Sequence, residues 1–413
     1  MTISDALRSD AAALAPDLTE LRHRLHRAPE IGLQLPRTQQ TLLEELDGLG
    51  LELRTGDRVT SVTGVLRGGR STGRAVLLRA DMDALPVQER SGEPFSSEVD
   101  GAMHACGHDQ HMAMLVGGAR LLAAHRDALQ GDVVLMFQPG EEGWDGAGAM
   151  LEEGVLTAAG PAVSAAYGMH VRSGKTPNGV FTTRGQTMMS SSGRLLVTVQ
   201  GRGAHGSSPH LGRDPISAAA EMIMSLQTMI TRRFDVFDPV VITVGTISGG
   251  TAPNIIPDTA HFSATVRTFS AATGDVVGDL AAEVCQGVAR AHGLEVDARY
   301  VAEYPATVND PDQAAFLAET VSDVFGPEAY LPMDFPEPGS EDFSRVLQAV
   351  PGSYVMLGAS VDEDYAASPS NHSPLARFDD GVLPRGALLH AELALRSLAR
   401  LAGTTPSPSS LPA

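Results

Sequence analysis

Lysine is almost absent from this chain of 413 residues, in which Lys175 is the only one. It lies in a segment bounded by Gly174 and Pro177, a composition that predicts a loop. A reaction that proceeds through a Schiff base needs a lysine amine. Because one loop lysine is the only candidate, we discount that chemistry.

Positive charge is scarce as a whole. The chain has 30 lysines and arginines against 50 aspartates and glutamates, which gives a net charge of −20 at pH 7. Nucleic acids are bound through basic patches, so we expect no nucleic-acid partner. An anionic substrate would need arginines placed close to it, because the field of the whole chain is repulsive.

Cysteine and long apolar runs are also few. Cys106 and Cys285 are too few for a disulfide framework, so we expect a reducing, cytoplasmic location. No stretch approaches the ~20 apolar residues of a membrane span, and we expect no membrane partner. Residues 1–18 contain acidic residues and no unbroken apolar core, so we expect no signal peptide. Residues 403–413, rich in Ser, Thr and Pro, are expected to form a flexible tail.

The patterns that are present indicate an α/β protein of two domains, since the chain is longer than one core usually serves. Helical periodicity covers residues 5–27, 36–49, 112–125 and 147–159. Short apolar runs, each closing on polar residues, lie at 76–78, 133–137, 165–167 and 354–357. Continuous apolar strands that alternate with helices predict a mostly parallel sheet covered on both faces.

The middle of the chain has a different order of elements. Strands are predicted at 195–199, 240–246, 261–269 and 294–300, and helices at 215–232 and 275–292. The order β-α-β-β-α-β is the ferredoxin-like arrangement. We therefore predict a ferredoxin-like domain at 187–299, inserted between two parts of a parallel-sheet domain at 1–186 and 300–402.

The segment 103–111 (MHACGHDQH) contains three histidines, a cysteine and an aspartate. Gly107 permits a sharp bend, so Cys106 and His108 can turn toward one point, as they would around a metal ion. A thiolate beside an imidazole is typical of a site for a borderline-soft ion such as zinc. A buried cysteine beside surface histidines explains this segment equally well.

Polar residues elsewhere in the chain favour the metal interpretation. Acidic or histidine side chains follow four apolar runs: Asp81 and Asp83, Glu141 and Glu142, His170, and His372. In parallel sheets, ligands bind beyond the carboxyl ends of the strands. We therefore expect these groups and Cys106 to meet at one edge of the sheet.

Eight segments carry a resemblance to a known family. They are 79–86 (RADMDALP), 103–111 (MHACGHDQH), 138–143 (QPGEEG), 168–171 (GMHV), 201–206 (GRGAHG), 249–258 (GGTAPNIIPD), 339–343 (GSEDF) and 371–374 (NHSP). With them the chain resembles the di-metal amidohydrolase branch of the aminoacylase and carboxypeptidase superfamily. That branch includes hippurate hydrolases, N-acyl-amino-acid hydrolases and auxin-conjugate hydrolases. The resemblance implies a metallopeptidase catalytic domain with an inserted lid, through which the chain forms a homodimer or a tetramer.

The resemblance also implies the residues of the site. The five side chains that would hold two divalent ions are Cys106, His108, Glu142, His170 and His372. Zinc and manganese are the leading candidates, followed by cobalt and nickel, because affinity and availability compete. A closely spaced ion pair lowers the pKa of a shared water and polarises a carbonyl. Glu141 is expected to be the general base, which later protonates the leaving amine.

Further residues receive roles from the same resemblance. His205 in the inserted domain is expected to stabilise the oxyanion, in the partner subunit's site; an idle loop histidine is the alternative. Asn254 and Arg267 are candidates for holding the substrate, although Arg267 could equally form a salt bridge on a strand face. Asp83 is expected to orient a ligand histidine with its carboxylate, or else to cap a turn.

The expected activity is hydrolysis of an N-acyl amino acid to a carboxylic acid and a free amino acid. A dipeptidase or carboxypeptidase on the same di-metal site is one alternative. A second is an amidase that uses Cys106 as its nucleophile beside His108. The third is a binding protein without catalysis. Cys285 lies in an apolar helical pattern and is expected to be inert core.

Overall fold

The computed structural model describes residues 2–70 and 72–403, so residues 404–413 of the expected tail lie outside the described part. The α-helices are α1 (Ile3–Ala13), α2 (Ala15–Arg27), α3 (Pro36–Leu46), α4 (His108–Ala124), α5 (Gly146–Glu152), α6 (Pro215–Arg233), α7 (Ala271–Ala291), α8 (Pro311–Phe325), α9 (Ser344–Ala349) and α10 (Leu383–Leu401). Short 3₁₀ helices cover Arg126–Ala128, Val155–Thr157, Pro209–Leu211, Pro327–Ala329, Tyr365–Ala367 and Asp380–Val382.

The strands are β1 (Glu52–Thr55), β2 (Val62–Leu66), β3 (Ala75–Asp81), β4 (Asp132–Gln138), β5 (Ala165–Arg172), β6 (Phe181–Thr183), β7 (Gln186–Met189), β8 (Ser192–Gln200), β9 (Ala204–His205), β10 (Val241–Gly249), β11 (Ile255–Ile256), β12 (Thr259–Arg267), β13 (Glu295–Tyr304), β14 (Thr307–Asn309), β15 (Tyr330–Pro332) and β16 (Gly352–Gly358).

The chain divides into two compact units. The first comprises residues 1–186, 308–334 and 345–413, and the second comprises 187–307 and 335–344. The expected boundary at residue 299 falls inside β13, because this strand stays paired with β8 as far as Tyr304. The segment 335–344, which we had placed in the parallel-sheet domain, belongs to the second unit.

The first unit is built on a sheet of eight strands in the order β1-β2-β4-β3-β5-β16-β6-β15. Its centre is parallel, since β3 pairs in parallel with β4 and β5, and β16 pairs in parallel with β5. Strands β3, β4 and β16 are buried along their whole length, which explains their continuous apolar sequence. The expected α/β fold with a mostly parallel main sheet is confirmed.

Two helices of the first unit differ from the sequence prediction. The stretch 5–27 forms two helices rather than one, because Pro16 lies in the first turn of α2 and has no N–H to continue α1. Helix α4 begins at His108 instead of residue 112, directly after Gly107, whose φ of 86° ends the preceding turn. The first turn of α4 therefore carries the polar residues of the 103–111 segment.

The second unit has a four-stranded antiparallel sheet in the order β10-β12-β8-β13. Helices α6 and α7 contribute apolar residues, spaced three or four positions apart, to one core with the sheet, among them Met222 and Cys285. Residues alternate between buried and more exposed along β12, as expected for a sheet with one covered face. Cys285 is fully buried, and burial raises the pKa of its thiol to about 12, as expected for inert core. In the described part of the chain, no helix is both long and apolar enough to cross a membrane.

Candidate metal centre

The bend at Gly107 places Cys106 and His108 on either side of a tight turn. Gly107 adopts a left-handed φ of 86°, and a Cβ atom there would lie 2.4 Å from the Val171 side chain. Any other residue would be strained by its backbone angle and would clash with β5. Cys106 is 7% exposed and His108 is fully buried, so the turn delivers both side chains to the protein interior.

Two groups of potential ligands share the sulfur of Cys106. In the first group, the Nε2 atom of His170 lies 3.3 Å from this Sγ, and His108 completes the set. In the second, the Nε2 atom of His372 lies 3.2 Å from the same Sγ, and Glu142 completes the set. Within each group, all potential ligand atoms lie within 4.8 Å of one another. The five side chains are thus brought to one place from segments as far apart as Cys106 and His372.

One atom of the cluster lacks the hydrogen bond that a buried polar atom normally makes. The Nε2 atom of His108 has no hydrogen-bond partner among the described residues. Burying such an atom without a partner is costly. A cation held by imidazole nitrogen, thiolate and carboxylate would satisfy it, so the residues present fit a metal site.

Asp83 holds both His108 and the loop of Glu141 and Glu142 in place. Its backbone oxygen accepts a hydrogen bond of 2.8 Å from Nδ1 of His108, which directs Nε2 of that ring into the site. Its carboxylate accepts the N–H groups of Glu141 and Glu142 at 2.9 and 3.1 Å. The nearest carboxylate oxygen is 3.6 Å from His108 Nδ1. Of the two expected roles, orienting a histidine or capping a turn, the hydrogen bonds of the carboxylate fit the second, since it holds the loop of Glu141 and Glu142. The carbonyl of the same residue orients the histidine.

The backbone beside His170 is held by a buried network of His111, Asp81 and Arg79. The N–H of Val171 donates to Nε2 of His111 at 2.8 Å, so this nitrogen is unprotonated and the proton lies on Nδ1. Nδ1 of His111 donates to Asp81 at 2.5 Å, and Asp81 also accepts a hydrogen bond of 2.6 Å from Arg79. The only sequence signal for the role of Asp81 is that it follows the same apolar run as Asp83.

The loop that carries His372 is held beside the Cys106 turn by the side chain of Asn371. The side-chain nitrogen of Asn371 donates to the backbone oxygens of Cys106 and Val171 at 3.1 and 3.0 Å. His372 itself has a left-handed φ of 70°, and its N–H donates to the Ala105 oxygen. Asn371 therefore holds the loop between the Cys106 turn and β5, a role that we did not assign from the sequence.

The electrostatic environment sets the charges of the ligand candidates. Burial lowers the pKa of His170 well below its ordinary value, which keeps this imidazole neutral and able to bind a metal. Burial alone would raise the pKa of Glu142, but the bond to His372 and the charge of His108 lower it, so the carboxylate is ionised. The hydrogen bonds to Cys106 and Glu142 raise the pKa of His372 to about 10.

The remaining polar residues of segment 103–111 do not join the cluster of ligands. Asp109 forms buried ion pairs of 2.8 Å with Arg22 and His26, which anchor the start of α4 to α2. His104 is buried, and neither of its ring nitrogens has a hydrogen-bond partner among the described residues. Burial lowers the pKa of His104 to about 3, so its ring stays neutral.

The residues predicted in the inserted segment lie in the second unit. His205 is exposed, on the two-residue strand β9, and it lines a cavity of about 640 Å³ together with Asn254. Arg267 ends β12 and donates to the Ser340 hydroxyl at 2.8 Å and to the Ser191 oxygen. Arg267 forms no ion pair with any described carboxylate, so the salt-bridge alternative has no support.

An α/β unit that gathers thiolate, imidazole and carboxylate groups beside its parallel strands is typical of a metal-dependent enzyme. The comparison with known families gives the class a name. The model of peptidase family M20/M25/M40 matches residues 77–396, and the chain belongs to this family.

Similar proteins support the same class. The chain is 36% identical over 403 residues to thermostable carboxypeptidase 2 of Saccharolobus solfataricus, covering 96% of this chain and 99% of that protein. It is 38% identical over 393 residues to IAA-amino acid hydrolase ILR1-like 4 of Arabidopsis thaliana, covering 93% and 86%. The crystal structure of the Bacillus subtilis YxeP protein, a dinuclear metal-binding peptidase of the M20 family, is 31% identical with a TM-score of 0.81 and covers 94% and 99%. The chain is therefore an enzyme, an amidohydrolase or metallopeptidase of this family.

Proposed function

We propose that the protein hydrolyses N-acyl amino acids to a carboxylic acid and a free amino acid. The observation that carries the proposal is the position of Glu141. Its carboxylate is grouped with potential ligand atoms of His108 and Glu142, all within 4.8 Å of one another. Its backbone N–H is fixed by Asp83, and the residue is 7% exposed. A buried carboxylate beside metal ligands is placed to take a proton from an attacking water.

Cys106, His108, Glu142, His170 and His372 would hold two divalent ions, zinc or manganese first and cobalt or nickel next. The Cys106 sulfur belongs to both groups of potential ligand atoms. When bound, the ions would polarise the scissile carbonyl and lower the pKa of a water.

The residues of the chain perform the proton transfers. Glu141 accepts the proton of the water that attacks the acyl carbon. The same carboxyl group then returns this proton to the nitrogen of the departing amino acid, which leaves as a neutral amine. Asp83 keeps Glu141 in place through both steps, because its hydrogen bond is to the backbone N–H and does not depend on the protonation state of the Glu141 side chain.

The second unit would act as a ferredoxin-like lid and dimerisation domain. Its β-α-β-β-α-β order and its antiparallel sheet support the ferredoxin-like arrangement. Strand β10 is an edge of that sheet with exposed apolar side chains, Val241 and Ile247, and an open edge of this kind can pair with a second copy. A homodimer, or a tetramer built from it, is the proposed state.

His205 would donate a hydrogen bond to the oxyanion that forms on the acyl carbon, in the site of the partner subunit. Asn254 and Arg267 would hold the amide and the carboxylate of the substrate. Arg267 suits the second role because its guanidinium pairs with no described carboxylate, although its bonds to Ser340 and Ser191 already occupy part of it. We also propose a cytoplasmic location, because Cys106 and Cys285 are free thiols.

Two alternatives keep specific support. The similarity to a thermostable carboxypeptidase favours peptides as substrates. The short distances from Cys106 Sγ to two imidazoles favour a cysteine nucleophile.

One experiment separates these possibilities. The enzyme is stripped with a chelator, zinc, manganese, cobalt or nickel is added back, and release of free amino acid is measured. The substrates are acetyl-, benzoyl- and indole-acyl amino acids and unblocked dipeptides. We expect no release without metal and faster release from N-acyl amino acids than from dipeptides. Full activity of the stripped enzyme would favour the cysteine nucleophile, and faster dipeptide cleavage would favour the peptidase.

A further inference from the structure

We infer that Ser207 is a positioning residue for His205: it holds Nδ1 of the ring as a hydrogen-bond acceptor and so keeps the proton on Nε2. The inference rests on the proposed function, in which His205 donates a hydrogen bond to an oxyanion. It adds the residue that makes this histidine a donor at the required atom.

The contacts of Nδ1 determine where the proton is. The hydroxyl of Ser207 lies 2.8 Å from Nδ1 of His205. The backbone N–H of Ser207 donates to the same Nδ1 at 3.2 Å. A backbone N–H can only donate, so Nδ1 must present its lone pair, and the hydroxyl donates to it as well. A neutral imidazole has one N–H, which is then on Nε2.

The backbone around His205 is already fixed, which leaves the ring as the part that needs positioning. His205 pairs with Ile255 between β9 and β11. The N–H of Gly206 donates to the Asn254 oxygen at 2.7 Å, and the N–H of Ser208 donates to the His205 oxygen at 2.8 Å. Ser207 therefore acts on the remaining freedom, which is rotation of the side chain and the choice of tautomer.

The Nε2 atom is left available for a ligand. In the described part of the chain, the hydrogen bonds of the His205 ring are those to Ser207, and both use Nδ1. His205 lines the cavity of about 640 Å³ together with Asn254 and Thr251. An N–H that faces open volume, with its orientation set beforehand, is the arrangement that favours stabilisation of a developing negative charge.

The neighbouring serine supplies a matched control. Ser208 has the same side chain, lies one position further along the loop, and contacts His205 through its backbone N–H. No hydrogen bond joins the Ser208 hydroxyl to His205 among the described contacts. Substituting Ser208 by alanine therefore removes a hydroxyl from the same loop without removing the contact to Nδ1.

The test combines ¹⁵N NMR of histidine-labelled, metal-loaded enzyme with steady-state kinetics, and the His205→Ala spectrum identifies the His205 resonances. At a pH where the ring is neutral, we expect an unprotonated Nδ1 and a protonated Nε2 in the wild type and in Ser208→Ala. In Ser207→Ala only the longer contact of 3.2 Å from the backbone N–H remains, so we expect a smaller fraction of the Nε2-protonated tautomer than in the wild type. We expect kcat to be lower by about threefold to tenfold, the range of one net hydrogen bond, with KM nearly unchanged. Ser207→Thr, which keeps the hydroxyl, should restore the wild-type values.

Three results would overturn the inference or its catalytic part. A wild-type ring protonated on Nδ1 would show that Ser207 does not set the tautomer. A Ser207→Ala enzyme as active as Ser208→Ala, beside an impaired His205→Ala, would refute the role of Ser207 and leave that of His205 standing. Full activity of His205→Ala would instead refute the oxyanion role itself, and the catalytic part of the inference with it.

Discussion

The two regions to which the proposed chemistry is assigned are built in different ways. Among the candidate metal ligands of the first unit, Cys106 and His108 are buried, Glu142 and His170 are half-buried, and His372 is exposed. Hydrogen bonds from separate segments hold them: from Asp83 after β3, from β5 and from the loop residue Asn371. His205 in the second unit is exposed, and its ring is held by one neighbour in its own loop. Metal ligands must converge from several segments, so their order depends on tertiary packing. A single hydrogen-bond donor can be set by local contacts, and it is correspondingly easier to disturb.

The largest effect should come from the carboxylate beside the ligands. Glu141→Gln removes the proposed base but keeps the size of the side chain, so kcat should fall by about 100-fold to 10,000-fold. Metal content, measured by elemental analysis, should stay unchanged. Glu152→Gln, at an exposed position on α5, is the control and should behave as wild type. Near-normal turnover of Glu141→Gln would refute the assignment.

The second unit should contribute less, because one donor is lost while the metal cluster remains complete. His205→Ala should lower kcat by about 100-fold to 1,000-fold, as the loss of one oxyanion donor does in other enzymes. His210→Ala, an exposed histidine of the same unit, serves as the control. A wild-type kcat in His205→Ala would mean that this loop supplies no catalytic histidine, and the proposed division of the chemistry between the two units would be wrong.

Disturbing the buried network of the first unit should lower the affinity of the protein for metal ions. His111→Asn can still donate to Asp81 but has no atom at the position that accepts the Val171 N–H, so His170 loses its support. Affinity should fall by about 10-fold to 100-fold, the usual cost of losing a group that supports a ligand. His111→Gln, which places an acceptor near the Nε2 position, should retain more affinity. Metal titration of the stripped proteins measures both, and equal affinities in the two variants would argue against a role for the Val171 contact.

The smallest effect concerns stability and pH. Burial lowers the pKa of His26, but the Asp109 charge and the bonds to Asp109 and Glu89 outweigh it and raise the pKa to about 9 from 6.5. The protonated ring is therefore favoured by folding, so its stabilisation is complete below pH 6.5 and is lost as the pH rises through 9.

Between about pH 6 and pH 10 the wild type should accordingly lose up to about 3 kcal/mol of unfolding free energy more than a His26→Gln variant. Chemical denaturation at each pH provides the values. Parallel pH profiles of the two proteins would mean that His26 is neutral in the folded state.

Much of the architecture was predictable because periodicity reports burial directly. The apolar runs at β3, β4, β5 and β16 predicted the parallel centre of the sheet, and the amphipathic middle segments predicted the helices and strands of the second unit. Ends of elements were less predictable. Helix α4 starts four residues earlier than its apolar pattern, because its first turn is buried by polar contacts that periodicity does not register.

In the candidate site, too, some features could be predicted from the sequence and others depend on tertiary contacts. The sequence alone determined which chemical groups were available, since the motif at 103–111 and the residues after each strand contain the thiolate, imidazoles and carboxylates that a metal needs. Only the tertiary structure decided their roles. His104, His108 and His111 share one short segment, yet their surroundings differ. His104 has no hydrogen-bond partner among the described residues, His108 is directed into the cluster by Asp83, and His111 is bonded to Asp81. The partners of a side chain come from distant strands and loops, so its burial and hydrogen bonding are fixed by packing and cannot be read from its neighbours in the chain.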